Sequence, residues 1–178
     1  MVLYNYKHNL IIMKKILLAL VILGGTAFSS FAQTKSGDGK FSIGLEAGLP
    51  VGDIHNGYNY LIGGSLKYEL PIAASTLFTI SAGYSSLHPK SVLKDLGFGS
   101  VGFIPVKVGI KYYIENGFFA EGQLGAAFGT KSGTGTAFAY SPGIGYTFDG
   151  GFEVGVRYEG WSNNGTIGQA ALRLAYRF

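Results

Sequence analysis

The chain has 178 residues, a length that suits a single domain. It contains no cysteine, which excludes disulfides, thiolate chemistry and cysteine metal sites. Charged residues make up 13% of the chain, about half their usual share in soluble domains, whereas 29 residues are glycine and 15% are aromatic. This composition predicts a protein built from many strands.

The N-terminal region has the pattern of a cleavable signal peptide. The basic pair Lys14-Lys15 is followed by an apolar run over residues 16–23 and by a small-x-small site that ends at Ala32. We therefore expect cleavage between Ala32 and Gln33, and export of the mature chain. The apolar run is too short to cross a bilayer comfortably as a helix.

Cleavage would divide the chain into a signal peptide over 1–32, a polar lead-in over 33–39 and one domain over 40–178. Residues 1–12 precede Met13 and are either an extended basic region of the signal or sequence upstream of the true start. Removing the signal takes away basic residues and no acid, so the formal net charge falls from +4 to about +1. The charge therefore gives no reason to expect a nucleic-acid partner.

Eight segments of the mature chain alternate apolar and polar side chains with a period of two, as strands with two different faces do. In the last segment, Leu172, Leu174, Tyr176 and Phe178 alternate with small or basic residues, and we expect this strand to pair with the first one. Most segments are long enough for a tilted strand to cross a bilayer. The predicted strands are 41–49, 62–70, 76–84, 102–113, 118–128, 136–148, 152–158 and 168–178.

The connections between these segments alternate in length. Asn-Gly and Asp-Gly pairs in two of the short connections are strong signals for tight hairpins. Short turns at one end and long loops at the other are typical of an outer-membrane barrel. Apart from the signal, the sequence predicts at most one turn of helix, within 91–96. The short turns are 71–75, 115–117 and 149–151, and the long loops are 50–59, 85–101, 129–135 and 160–167.

The apolar face carries aromatic side chains near the strand ends. Rings at both ends of the strands form the interfacial girdles of a barrel in lipid. These aromatic residues are Tyr68, Phe78, Tyr84, Tyr112, Phe118, Phe128, Phe138, Phe148, Phe152, Tyr158, Tyr176 and Phe178.

Together, the signal, the alternating strands, the asymmetry of turns and loops and the terminal Tyr176-x-Phe178 resemble small outer-membrane β-barrel proteins of the OmpA/OmpX-like and porin-like families. The resemblance covers about residues 40–178. It implies an all-β, eight-stranded antiparallel up-and-down transmembrane barrel in the outer membrane of a Gram-negative cell. It also implies contact with outer-membrane lipid, and recognition of Tyr176 and Phe178 as a signal by the barrel assembly machinery.

The other face of the strands carries charged residues that would point into the lumen. An eight-stranded barrel is just wide enough to be filled by side chains, and unpaired buried charge is costly. The pattern therefore predicts an ion-pair network that fills the lumen and fixes the strand register, with a narrow polar path for ions or small solutes as the alternative. The predicted network residues are Glu46, Lys67, Glu69, Lys107, Lys111, Glu121, Glu153, Arg157, Glu159, Arg173 and Arg177.

Several glycines share this inward face. They either leave space for water or allow strong strand curvature, and the sequence does not separate these two explanations. The inward glycines are Gly63, Gly83, Gly109, Gly125, Gly143, Gly145 and Gly155.

Signals for catalysis, cofactors and metals are weak. His55 and His88 are the histidines of the mature chain, and His88 has serines and Asp95 nearby but no nucleophile–histidine–acid motif. The glycine-rich run over 129–135 lacks a phosphate-loop motif and does not precede a helix. The acidic loop residues are too sparse for a calcium loop. We therefore expect no cofactor, no metal and no enzyme activity.

These patterns favour a structural or surface-interaction role, in which the barrel anchors the four long loops for contact with a ligand or partner. A small pore is the first alternative, and a lipid-modifying outer-membrane enzyme is a less favoured one. A secreted lipocalin-like barrel would carry its apolar face inside and a polar face outside. The strands argue against it, because bulky aromatic residues occupy one face while charges and glycines share the other.

Overall fold

The structure, a computed structural model, describes residues 39–131 and 133–178. The predicted signal peptide, its cleavage point between Ala32 and Gln33 and most of the polar lead-in lie outside the described residues. The strands are β1 (Lys40–Val51), β2 (Tyr58–Ala73), β3 (Thr76–Pro89), β4 (Val101–Glu115), β5 (Phe118–Gly129), β6 (Thr136–Thr147), β7 (Phe152–Ser162) and β8 (Thr166–Arg177).

The eight strands form one closed antiparallel barrel in which each strand pairs with its neighbours in the chain. β8 closes the barrel against β1 in continuous register, from the Ser42–Arg177 pair to the end of β1. Beyond this pair, Phe178 and Phe41 exchange backbone hydrogen bonds with N–O distances of 2.8 and 3.1 Å. The predicted up-and-down barrel is therefore confirmed, including the pairing of the last strand with the first.

The strands extend further towards the loops than the sequence predicts, and the loops are correspondingly shorter. These additional strand residues are stabilised because their inward side chains pack together inside the barrel, among them Leu61, Leu87 and Trp161. The observed loops are 52–57, 90–100, 130–135 and 163–165, in place of the predicted 50–59, 85–101, 129–135 and 160–167. The opposite end keeps tight turns at 74–75, 116–117 and 148–151.

Helix is limited to two short segments in the part of the chain that the structure describes. A 3-10 helix spans Gly52–Asn56, and α1 spans Ser91–Asp95, where the sequence predicts one turn. No helix among the described residues is long and apolar enough to cross a membrane.

The outer face of the barrel is apolar around its circumference, because every strand exposes at least one large apolar side chain. The exposed fraction is 74% for Leu45 on β1 and 52% for Tyr176 on β8. Closure of the sheet leaves no strand edge unpaired, as an apolar surrounding requires. The predicted girdle aromatics are exposed except for Tyr68 and Phe78, which are partly buried.

The inward glycines mark positions where neighbouring strands come close together. A Cβ atom on Gly125 would overlap the carbonyl oxygen of Val106, and one on Gly83 would lie 2.6 Å from the carbonyl oxygen of Gly64. The space beside Gly155 is wider, because a Cβ atom there would lie 3.3 Å from the nearest atom, the carbonyl oxygen of Ile144. Backbone therefore fills the space beside most of these glycines, and close strand approach explains them better than space for water does.

Candidate functional site

The eleven predicted lumen residues point into the barrel, and ion pairs join them into one network. Their exposed side-chain fractions run from 0% to 21%. The network has two parts, and Arg173 links them. We call the part nearer the chain termini the terminal-end cluster and the other part the mid-barrel cluster. The terminal-end cluster comprises Lys67, Glu69, Lys111, Glu121, Glu153 and Arg177, and the mid-barrel cluster comprises Glu46, Lys107, Arg157 and Glu159.

Lys111 is the centre of the terminal-end cluster. Its ammonium nitrogen lies 2.9 Å from the Glu69 carboxylate and also contacts the Glu153 carboxylate. The same nitrogen lies over the Phe119 ring, 4.0 Å from its centroid. The Lys111 side chain is fully buried. Two carboxylates and an aromatic face together offset the cost of removing this charge from water.

Lys67 and Arg177 complete the terminal-end cluster. The Lys67 nitrogen lies 2.8 Å from Glu121. Arg177 lies 3.4 Å from Glu69 and donates a hydrogen bond to the Tyr113 hydroxyl at 2.9 Å. The cluster therefore contains as many cations as carboxylates, so its charges compensate one another locally.

In the mid-barrel cluster, Arg157 joins β7 to β1. It donates two hydrogen bonds to Glu46, at 3.1 and 2.6 Å, and pairs with Glu159 at 2.7 Å. Lys107 on β4 reaches the same Glu159 carboxylate at 2.7 Å. Ser65 donates a hydrogen bond to Glu46 at 2.7 Å. A bidentate arginine–carboxylate pair of this kind fixes the relative orientation of the two side chains as well as compensating their charges.

Arg173 connects the two clusters. It donates a hydrogen bond to Glu153 at 3.1 Å and lies 3.6 Å from Glu46. It also donates hydrogen bonds to Ser65 and Ser42. Because the partners sit on different strands, this side chain ties β8 to β1, β2 and β7. Breaking such a pair would leave a buried charge without compensation, which is strongly destabilising.

A buried apolar group fills the barrel towards the loops, and it was not predicted as a group from the sequence. Phe103 and Trp161 are its largest members, with ring centroids 4.5 Å apart. The Trp161 indole donates a hydrogen bond to Glu159 at 2.8 Å, which joins this group to the mid-barrel cluster. The apolar plug, as we call it, consists of Leu61, Leu87, Phe103, Ala127, Ala137, Ala139 and Trp161.

Part of the plug could have been found by following the period-two pattern within the predicted strands, and the rest by continuing the pattern beyond their ends. Trp161 lies two residues beyond Glu159, and Phe103 lies four residues before Lys107, so both share the inward parity of the charged residues. Phe103 lies within the predicted strand 102–113, whereas polar residues near Trp161 indicated a loop over 160–167.

The interior of the described barrel is closely packed. Two cavities inside it have volumes of about 10 and 20 Å³. Mid-barrel residues border both, and each has room for about one water molecule. Neither has room for a larger solute.

The histidine positions do not form a catalytic triad among the described residues. His88, predicted in a loop, lies in β3, and its ring stacks on Tyr60 with centroids 4.6 Å apart. Its Nδ1 atom lies 3.1 Å from the Ser100 hydroxyl, and its buried Nε2 atom has no hydrogen-bond partner. The orienting acid that a triad requires is therefore missing from this contact.

His55 lies in the 3-10 helix after β1. In the described part of the chain, no group of three or more histidine, aspartate or glutamate side chains is arranged to hold a metal ion.

The barrel is similar to solved structures of outer-membrane proteins. Ail, the attachment invasion locus protein of Yersinia pestis, matches with a TM-score of 0.58 and 23% identity, over 80% of this chain and 99% of that chain. Ail in complex with the heparin analogue sucrose octasulfate matches with a TM-score of 0.56 and 21% identity, over 80% and 99%. The outer membrane enzyme PagL matches with a TM-score of 0.57 and 17% identity, over 77% and 98%.

These similarities establish the fold: the chain folds as a small eight-stranded barrel of the outer-membrane type. One neighbour is an attachment protein and another is an enzyme, so the fold alone does not assign an activity. No protein-family model and no curated protein sequence matches the chain.

Proposed function

We propose that the chain is an integral outer-membrane barrel protein of a Gram-negative cell, with a structural or surface-interaction role. The distribution of exposure carries this proposal. Glu69, Glu159 and Lys111 are completely buried, whereas the exposed fraction of Leu45 is 74%. A continuous exposed apolar surface is unfavourable in water and favourable in lipid. The same distribution argues against a secreted lipocalin-like barrel.

The lumen is proposed to be sealed, which places a pore second. The ion-pair network and the apolar plug fill consecutive sections of the interior, and the two cavities have room for about one water molecule each. A conducting path would need a rearrangement of paired buried charges. The pore hypothesis is therefore less well supported than a filled barrel.

We propose that the protein is not an enzyme. The His88–Ser100 contact supplies a base and a hydroxyl, but the described residues provide no carboxylate hydrogen-bonded to the other ring nitrogen. Lipid A from cells with the His88→Ala variant should therefore be identical to lipid A from cells with the unchanged protein. A modification lost with this variant would contradict the proposal.

The loops are the proposed interaction surface. Ail, which shares the fold, has been captured with a heparin analogue. In this chain, Lys90, Lys94 and Lys131 stand at the loop end and could meet an anionic partner. The barrel would hold these loops at the cell surface.

Membrane fractionation followed by gel electrophoresis with and without boiling tests the proposal. We expect the protein in the outer-membrane fraction, resistant to carbonate extraction, and migrating faster before boiling than after it. A closed, hydrogen-bonded barrel resists detergent until it is heated, which explains the shift. A freely soluble protein, or one that carbonate releases, would overturn the assignment.

The C-terminal residues are proposed as the assembly signal. Phe178 ends the β1–β8 seam, and its ring stacks near Phe41 with centroids 6.4 Å apart. Deleting Phe178 should reduce the folded protein in the membrane more than a loop substitution such as Asn163→Ala, and Tyr176→Ala should have a weaker effect in the same direction. Folded, boiling-sensitive protein at normal level after deletion of Phe178 would contradict this role.

A further inference from the structure

The loop over 90–100, the longest among the described connections, exposes three large apolar side chains. The exposed fractions are 71% for Val92, 68% for Leu96 and 58% for Phe98. Single exposed apolar residues are normal, but several within one short loop mark an interaction surface.

This loop has a defined conformation. The Phe98 amide donates a hydrogen bond to the Leu93 carbonyl at 2.9 Å, and the Gly97 amide donates one to the Lys94 carbonyl at 2.9 Å. Leu93 packs inwards: a Cβ atom on Gly57 would lie 2.9 Å from its Cδ1 atom. One apolar residue of the loop therefore packs against the protein, and the other three are held outside.

The loop joins the lipid-facing wall of the barrel. Tyr84, half exposed on the outer face of β3, covers Gly102, because a Cβ atom there would lie 2.6 Å from the Tyr84 hydroxyl. Gly102 follows the loop by two residues, and Ile104 is the next outward side chain of β4. Tyrosine on a lipid-facing surface is typical of the membrane interface, and Tyr84 lies on β3 beside the start of β4. Along the chain, Val92, Leu96 and Phe98 therefore lie between two strands, β3 and β4, whose outer faces are apolar.

Basic residues lie within this loop and next to it. Lys90 and Lys94 belong to the loop itself, and the Lys131 ammonium would lie 3.4 Å from a Cβ atom on Gly99. The one acid of the segment is Asp95. Apolar side chains next to lysines are the combination by which surface segments bind anionic lipid layers. A soluble polyanion would use the lysines and leave the apolar group in water.

We propose that the loop over 90–100, with Lys131, docks onto the anionic headgroup layer of the outer leaflet. Val92, Leu96 and Phe98 enter the boundary between headgroups and acyl chains, and the lysines contact lipid phosphates. This proposal rests on the proposed membrane location of the barrel and names the partner of one of its loops.

Spin labels on single cysteines test the docking directly, because the chain has no cysteine of its own. The labelled variants are Phe98→Cys and Leu96→Cys, with Ile144→Cys as a lipid-facing reference and Asn163→Cys as a water-facing one. Each is reconstituted in vesicles of mixed zwitterionic and anionic phospholipid. Collisions with oxygen report lipid, and collisions with a nickel chelate report water. Boiling-dependent migration checks that each variant is folded.

Spin labels at 96 and 98 should collide more often with oxygen than with the nickel chelate, as the label at 144 should. The label at 163 should collide more often with the nickel chelate. The substitution Lys94→Gln should lower the ratio of inserted to water-exposed loop about fivefold, since each lysine near an anionic surface contributes about that factor. Lys40→Gln, an exposed lysine at the opposite end, is the matched control and should leave the ratio unchanged.

The outcomes separate the two proposals. If the label at 144 collides with nickel, the membrane barrel itself is wrong. If 144 is in lipid but 96 and 98 are in water, the docking proposal alone is overturned, and the loop is open to an external ligand such as a sulfated glycan. Unchanged accessibility at 98 in Lys94→Gln and in vesicles without anionic lipid would also contradict it.

Discussion

The barrel interior is filled by two different chemistries. Towards the chain termini and the middle, buried charges such as Lys111 and Glu153 meet across the lumen at hydrogen-bonding distance. Towards the loops, Phe103 and Trp161 fill the same cross-section with apolar rings. The charged part requires specific partners at specific heights, whereas the apolar part mainly fills volume, with the Trp161–Glu159 hydrogen bond joining it to the charges. The charged part therefore specifies the register of the strands, and the apolar part closes the barrel beneath the loops.

The comparison predicts the largest loss of stability in the charged part. Glu153 accepts contacts from Lys67, Lys111 and Arg173, so Glu153→Ala leaves several buried cations undercompensated. The free energy of unfolding should fall by about 3–5 kcal/mol. Urea unfolding in lipid vesicles, followed by Trp161 fluorescence, measures it. Glu115→Ala, an exposed acid at the same end, is the control and should leave the midpoint unchanged; equal midpoints for both variants would contradict the structural role of the network.

The apolar plug should respond somewhat less to truncation. Phe103→Ala removes a buried ring that packs on Trp161, and we expect a loss of about 3 kcal/mol from the lost contacts and the cavity. The effect should add to that of Glu153→Ala, because the two residues lie in different sections of the interior.

By contrast, Lys111→Met combined with Glu153→Ala should lower the free energy of unfolding by less than the sum of the two single changes. Additivity in both pairs would remove the distinction between the two regions.

The smallest of the three effects is expected at the strand contacts beside the charges. Gly125→Ala would force a methyl group against the Val106 carbonyl oxygen, so a loss of about 1–3 kcal/mol is expected from strand displacement. Gly122→Ala, on the same strand with open space around it, is the matched control. The same unfolding assay applies. If both variants are equally stable, close strand approach does not account for the inward glycines.

Much of the barrel could be predicted from sequence because a period of two is a local property. Alternation around Lys107 and Lys111 indicated which side of β4 faces inwards, without knowledge of its neighbours. Short Asn-Gly and Asp-Gly turns located the hairpins, and the last strand showed the same two faces as the first. These signals require only residues close together in the chain.

The partners across the lumen could not be predicted in this way. Lys111 meets Glu69 on β2 and Glu153 on β7, and which carboxylates lie at its height depends on the tilt and stagger of the closed barrel. No single strand carries that information. Leu87 and Trp161 of the plug were missed for another reason: both follow the alternation, but nearby polar residues indicated loops where the strands continue.

The central claim is that the charged network and the apolar plug together seal the lumen, and ion conductance of the purified, folded barrel in planar bilayers tests it most directly. We expect no stepwise currents from the unchanged protein, because two cavities along the interior have room for about one water molecule each. Reproducible single-channel currents that change on substitution of Lys107 or Arg157 would contradict the sealed barrel and favour a pore through the mid-barrel cluster.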